Sequence, residues 1–346
     1  MSLRFLTAGE SHGPALLGIV DGLPAGLALT EDLIAADFAR RQYAPGRGGR
    51  QKIEKDRARI LGGLVRGKTT GAPVGLMIEN LDYRNWEGLE VPPNRVPRPG
   101  HADLAGCLKW GFDDTRLVSE RASARETAMR VALGAVARAL LAEAGIRCTG
   151  RVLAVGGVTV RSEAALRRVI DRAKAAGETL GGIVEARAVG VPPGLGTSVQ
   201  WDRRLDGRIA QALMSIPSVK GVLIGDADVQ AASPGSRAQD PIGWKRGKGF
   251  VRPTNHAGGL EGGITNGEPV VARLFLKPIS TLRQGLRSVD LKTRRAARAA
   301  YQRSDTCVVP AATVIAEAML AWVLADALLE RFGGDSVREL KRALRR

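Results

Sequence analysis

At 346 residues the chain has room for one large domain or two ordinary ones. Hydrophobic residues make up 44% of it but aromatics only 4%, so its core must be built mostly from Ala, Val, Leu and Ile. The formal charge is +17 and 41 of the 52 basic residues are Arg, which calls for an anionic partner; scarce aromatics and the lack of a helix-turn-helix, zinc or RNA-recognition signature argue against nucleic acid.

From the N-terminus, which starts Met-Ser-Leu-Arg-Phe without a signal-like apolar run, a first strand is expected over 15–20. Thr30 should cap a helix running through Arg41. A strand over 74–78 follows. Ser123-Ala124-Arg125-Glu126 has capping-box spacing and opens an apolar helix that should stop at Gly145. Further strands are expected over 152–160, 182–189, 222–224 and 270–276, and Ser162 should cap a helix ending near Gly177. The most apolar stretch, 308–329, contains Glu317 and Asp326. It reads as a buried helix started by Pro310 and stopped by Gly333-Gly334, not as a membrane span. Ser336 and Glu339 repeat the capping-box spacing before a basic terminal helix. The mixture is α+β, without the regular alternation of a doubly wound sheet. A soluble cytoplasmic protein with no membrane contact is expected.

Two halves, about 1–150 and 151–334, look related and should share one core as a single domain. Gly18-Ile19-Val20 leads to Pro24-Ala25-Gly26-Leu27, as Gly182-Ile183-Val184 leads to Pro193-Gly194-Leu195. The segment from Gly67 to Val74 resembles that from Gly263 to Val270. Cys107, Cys148 and Cys307 are odd in number and far apart, so neither a disulfide framework nor a zinc site is indicated.

Two of the three histidines lie in short polar motifs flanked by glycine, Gly9-Glu10-Ser11-His12-Gly13 and Arg98-Pro99-Gly100-His101-Ala102-Asp103, where proton chemistry is expected. The first also matches the nucleophile elbow GxSxG. That elbow needs a helix directly after the serine, whereas Pro14 and an apolar run follow. A hydrolase with Ser11 as nucleophile and His101 or His256 as base is the alternative enzyme, and an RNA-binding module is the alternative use of the charge. Residues 62–69 match GxxxxGK[ST], but Gly71, Pro73 and a strand-like run follow where a phosphate loop needs a helix.

Arg40-Arg41-Gln42 and Gly46-Arg47-Gly48-Gly49-Arg50 set four arginines beside glycines, and arginine forks fit phosphate and carboxylate oxygens. Arg121-Ala122-Ser123-Ala124-Arg125 places two more near a helix start. Together with Arg303-Ser304-Asp305 and the segment Lys277-Pro278-Ile279-Ser280-Thr281, these describe a site for several negative charges with His and Asp nearby.

GESHG, RPGHAD, RASARETA, GGITNGEP, KPIST and RSDTCVVPAA, in that order from residue 9 to 312, resemble the chorismate synthase family. The last motif departs from some members in having Ser304 and Thr306 where they carry His and Pro, which leaves Asp305 in place. The resemblance implies a β-α-β sandwich of antiparallel sheets with outer helices and two pseudo-symmetric halves, assembled as a homotetramer. It implies a lyase of aromatic amino acid biosynthesis that converts 5-enolpyruvylshikimate 3-phosphate to chorismate and phosphate with reduced FMN. NADPH, directly or through a separate flavin reductase, would supply reducing equivalents. By the same resemblance His12 would protonate the leaving phosphate, His101 would act near the flavin ring and Asp305 would take the proton from flavin N5. Arg41 and Arg47 would meet NADPH or the substrate phosphate. Arg121, Ala122, Ser123, Ser218, Gly262, Lys277, Pro278, Ile279, Ser280, Thr281 and Arg303 would contact FMN.

Overall fold

The computed structural model describes residues 2–49, 53–301 and 305–345. Two antiparallel sheets frame it. The first contains β1 (Arg4–Ala8), β2 (Ala15–Asp21), β3 (Ala58–Gly62) and β4 (Val74–Glu79), in the order β1-β2-β4-β3. The second contains β5 (Arg147–Val155), β6 (Val158–Thr159), β7 (Gly182–Val189), β8 (Val219–Ile224) and β9 (Val270–Leu276), in the order β8-β9-β7-β5-β6. Read from the other edge, the second sheet repeats the first: β5, β7, β9 and β8 stand where β1, β2, β4 and β3 stand.

Caps written in the sequence set the helix ends. Thr30 accepts from Leu33 N–H to start α1 (Glu31–Gln42), and Ser162 accepts from Ala165 N–H to start α5 (Glu163–Ala175). Between them lie α2 (Asp103–Trp110), α3 (Thr115–Ala122) and α4 (Thr127–Ala142). Further on come α6 (Leu205–Met214), α7 (Val309–Phe332) and α8 (Val337–Leu344). The capping box at Ser123 is only half realised. Ser123 caps a short 3-10 turn by accepting from Arg125 N–H, while Glu126 pairs with Arg130 rather than reaching back. The 152–160 strand is a hairpin, because Gly156 and Gly157 both take positive φ in a two-residue turn.

The expectation of outer helices is corrected for the longest two. α4 packs on β2 and β4, α7 packs on β5 and β7, and the two helices lie against each other. Their apolar residues are buried nearly all round, as an internal helix requires. Gly134 of α4 sits where any Cβ would collide with Ala318 of α7, so this glycine sets the helix spacing. α7 is long and apolar enough to cross a bilayer, but 94% of its most apolar window is buried inside the protein.

Of the two motif pairs that look alike in the sequence, one falls in matching turns and the other does not. Gly67, Gly71 and Val74 occupy the places of Gly263, Gly267 and Val270, and all four glycines have positive φ. Gly182-Ile183-Val184, in contrast, opens β7, whereas Gly18-Ile19-Val20 closes β2. The turn itself pairs Pro24 with Pro192, not Pro193, because their carbonyls play the same part.

Candidate functional site

The 9–13 turn is clamped from two sides. Asn80 Nδ2 donates to Glu10 O (3.0 Å) and Gly13 O (2.7 Å). From α3, Glu120 O accepts from Ser11 N–H (3.0 Å) and Glu120 Oε2 from His12 N–H (2.6 Å), while His12 Nδ1 lies 2.7 Å from Glu120 Oε1. The Trp86 ring is centred 4.6 Å from the His12 ring. These groups line a cleft of about 350 Å³ with Glu10, Leu89 and Arg116. A helix does not follow Ser11, since β2 starts at Ala15, and Ser11 Oγ accepts from Ser123 Oγ at 3.2 Å. The nucleophile-elbow geometry is therefore absent. The phosphate-loop match is a hairpin, with Leu64–Val65 paired to Lys68–Thr69 and no helix after it.

His101 starts the second cluster. Its Nδ1 lies 2.5 Å from Asp103 Oδ1, and Asp103 also accepts from Arg98 Nε (2.7 Å) and Nη2 (3.0 Å). Burial alone would raise the Asp103 carboxyl, yet the hydrogen bonds from His101 and Arg98 hold it well below the ordinary carboxylate range. α2 and α3 are closely packed, with Gly106 against Val118, so the start of α2 lies beside the end of α3. This brings the His101 loop to the same end of the helix pair as Glu120 and Arg121. From the second sheet, Lys277 Nζ and Ser280 Oγ both donate to Gly100 O.

The third cluster is charged and buried. Asp305 accepts from Gly48 N–H (2.6 Å) and from Arg47. Arg41 donates to Asp56 (3.4 Å) and Thr127 Oγ1 (3.0 Å), and Arg125 pairs with Asp56 and Glu54. Burial, with Arg47 and Arg125 nearby, pushes the Arg41 guanidinium down to about 9 against the pull of Asp56 and Asp305. Among the described residues, the buried Nε atoms of Arg41 and Arg47 have no hydrogen-bond partner. An orphaned donor on a buried cation is the mark of a place for an anion. The residues present thus fit a phosphorylated ligand.

The expected contact residues divide between these clusters. Arg121 donates to Thr7 O (3.0 Å), Thr7 Oγ1 (2.6 Å) and Gly9 O (3.3 Å), and Ala122 and Ser123 continue from it toward Ser11. Ser218 takes a left-handed φ of 74°, unusual for serine, and its carbonyl accepts from Lys277 N–H. Pro278 and buried Thr281 lie in the same loop, and Ile279 O accepts from Thr179 Oγ1. The neighbouring Leu180 N–H donates to Thr306 O, which ties this loop to Asp305. Gly262 is not brought there. It turns the Leu260–Glu261/Ile264–Thr265 hairpin, which leads into the start of β9, whereas Lys277 follows that strand's other end. Arg303 lies outside the described residues.

Sequence reasoning missed Glu120, Trp86 and Arg116 as site residues, and read Arg98 and Asp103 only as motif letters. Asp103, two residues after His101, was the findable one. A larger open groove of about 930 Å³ runs between Ala25–Gly26 and α8, lined by Arg338, Lys341, Arg342 and Arg345. It holds none of the expected site residues. No group of three or more metal-ligating side chains occurs among the described residues, and the three cysteines are free and buried.

A family model described as chorismate synthase matches residues 3–329. A chorismate synthase of Moorella thermoacetica is 54% identical over 96% of this chain and 95% of its own length. One of Trichlorobacter lovleyi is 49% identical, with 98% and 97% covered. A crystal structure of chorismate synthase superposes with a TM-score of 0.82 at 41% identity, over 100% of this chain and 97% of that one.

Proposed function

The chain belongs to the chorismate synthase family, and we propose that it is a lyase acting at the last common step of the shikimate pathway. Its reaction on this reading is the anti 1,4-elimination of phosphate from 5-enolpyruvylshikimate 3-phosphate to give chorismate. The observation that carries it is the pair of arginines, buried Arg41 and half-buried Arg47, whose buried Nε donors have no partner among the described residues and lie near Asp305. Substrate and FMN are both phosphorylated, so several anionic groups need such donors.

Reduced FMN supplies electron density to an elimination whose lost hydrogen is weakly acidic. The residues expected to hold it are Arg121, Ala122, Ser123, Ser218 and the Lys277–Thr281 loop. Gly262 belongs to the same expected set but lies in the hairpin that leads into the other end of β9. NADPH, directly or through a separate flavin reductase, supplies the reducing equivalents. His12 holds the proton that leaves with phosphate, in a turn fixed at both shoulders by Asn80 and Glu120. His101, steadied by Asp103 and Arg98, bonds at the flavin side of the site. Asp305 takes up a proton at its carboxylate. Trp86 packs beside the His12 ring, and Leu89 lines the same cleft.

Supporting two halves in a β-α-β sandwich are the repeated strand order and the internal position of α4 and α7. Supporting a homotetramer is the outer face of the first sheet, where Leu6 and Ile19 pair and Leu17 lies beside Met77, with Leu6 75% exposed. The outer face of the second sheet carries Arg151, Glu185, Arg187 and Arg273 instead. A cytoplasmic location is part of the same reading.

The test is an anaerobic assay from which FMN, reductant or substrate is omitted in turn. Chorismate is expected only when all three are present. Product formed without reductant, or an acyl-enzyme on Ser11, overturns the reading.

A further inference from the structure

Glu120 grips the 9–13 turn at three points: its carbonyl takes Ser11 N–H, one carboxylate oxygen takes His12 N–H, and the other meets His12 Nδ1 at 2.7 Å. The other two histidines also meet a carboxylate through Nδ1, His101 with Asp103 and His256 with Asp226. Only at His12 does the same carboxylate, among the described residues, also hold the histidine's own backbone N–H. The side chain therefore fixes both where the ring begins and how it is turned. We propose that Glu120 is the positioning residue for His12: it keeps a proton on Nδ1 and turns Nε2 toward the cleft, so that Nε2 is the nitrogen that takes up a proton from solvent and hands it to the leaving phosphate. The inference rests on the reading that His12 serves the lyase reaction.

A carboxylate has only acceptors, so a neutral ring facing it must carry its proton on Nδ1. The rigid imidazole then points Nε2 away from Glu120. The Trp86 ring packs against the imidazole at 46°. Arg121, next in sequence, anchors the end of α3 to Thr7 and Gly9, so the clamp is carried by a helix pinned to the strand before the turn. Among the described residues, the other charged groups on the cleft are Glu10 and Arg116, and Arg116 is already engaged by Asp114 and Val91 O.

Glu120→Gln separates this role from simple support of the loop. The amide oxygen can keep the His12 N–H, but the amide NH₂ then faces Nδ1 and favours the Nε2–H tautomer. Long-range ¹⁵N–¹H spectra of ¹⁵N-histidine-labelled protein read this directly, with only three histidines to resolve and His12 assigned by its loss in His12→Ala. The wild type is expected to show Nδ1–H and Glu120→Gln to show Nε2–H. The kcat should fall about 10²-fold with KM changed less than threefold. Glu120→Asp keeps the charge and should retain the Nδ1–H tautomer and recover at least tenfold of the lost rate. It also carries the test if the Gln variant does not fold. A wild-type Nε2–H ring, an unchanged kcat in Glu120→Gln, or equal losses in Gln and Asp variants each overturns the proposal. If the wild type makes no chorismate with reduced FMN, the lyase reading fails separately, and the tautomer spectra alone decide the role of Glu120.

Discussion

Thr69 and Thr265, in different sheets of the fold, sit in the same hydrogen-bond frame. Thr69 Oγ1 donates to Pro24 O (2.6 Å) and accepts from Leu27 N–H (2.9 Å); Thr265 Oγ1 donates to Pro192 O (2.7 Å) and accepts from Leu195 N–H (2.8 Å). The main chain repeats as well: Gly26 and Gly194 donate to the two threonine carbonyls, and both threonine N–H groups donate to the paired leucines. Both side chains are buried. Thr→Val at either position keeps the shape and leaves a donor and an acceptor unmet, so each variant should lose about 1–3 kcal/mol. The sites share no partner, so the double variant should lose the sum. Denaturant unfolding checks this, and a loss confined to one of the two would deny that the frames are equivalent.

Asp103 gives a pH signature. Its carboxyl is held well below its ordinary 3.8, the bonds from His101 and Arg98 outweighing burial. A depressed carboxylate stabilises the fold above its unfolded pKa, and that contribution fades as pH falls toward the folded value. Asp103→Asn leaves Arg98 without its charge partner and should cost about 3 kcal/mol at neutral pH. The gap between wild type and variant should hold steady down to about pH 4 and shrink only below it. A gap already closing at about pH 5 would contradict the assignment.

His12→Ala and His101→Ala should each lower turnover by about 10²–10⁴-fold while flavin still binds. The two histidines occupy separate clusters, one closed by Glu120 and the other by Asp103. Loss below about threefold at both positions, with the fold intact by circular dichroism, would remove proton transfer from them.

FMN and substrate should bind with positive coupling. Arg41 and Arg47 oppose each other in a buried setting, and each retains an unpartnered Nε. The first anion relieves that opposition and orders the Gly46–Gly48 backbone, so the second meets a prepared site. Coupling of about 1–3 kcal/mol, or about 5–150-fold in affinity, is expected. Calorimetric titration of FMN with and without substrate reads it, and equal dissociation constants would rule it out.

What was legible in the sequence was local. Pro310 and Gly333 bounded α7, Ser162 capped α5, and the Val- and Ala-rich runs of β7 and β9 matched to the residue. α2 and α3 escaped because each has only eight residues, too few for a 3.6-residue period to emerge. With them went Glu120, whose meaning exists only once α3 folds back on the 9–13 turn. β1 escaped because apolar Leu6 faces outward and polar Thr7 inward, so no polar alternation marks it. The match of Gly182–Val184 to Gly18–Val20 was misleading because identical letters fell at opposite ends of equivalent strands.

On the proposed reading the elimination uses reduced flavin without consuming it. Its most direct test counts chorismate formed per chemically reduced FMN, with the pure chain held anaerobic. Many turnovers per flavin, equal amounts of chorismate and phosphate, and flavin still reduced at the end are expected. One flavin oxidised for each chorismate formed, or phosphate released without chorismate, would contradict it.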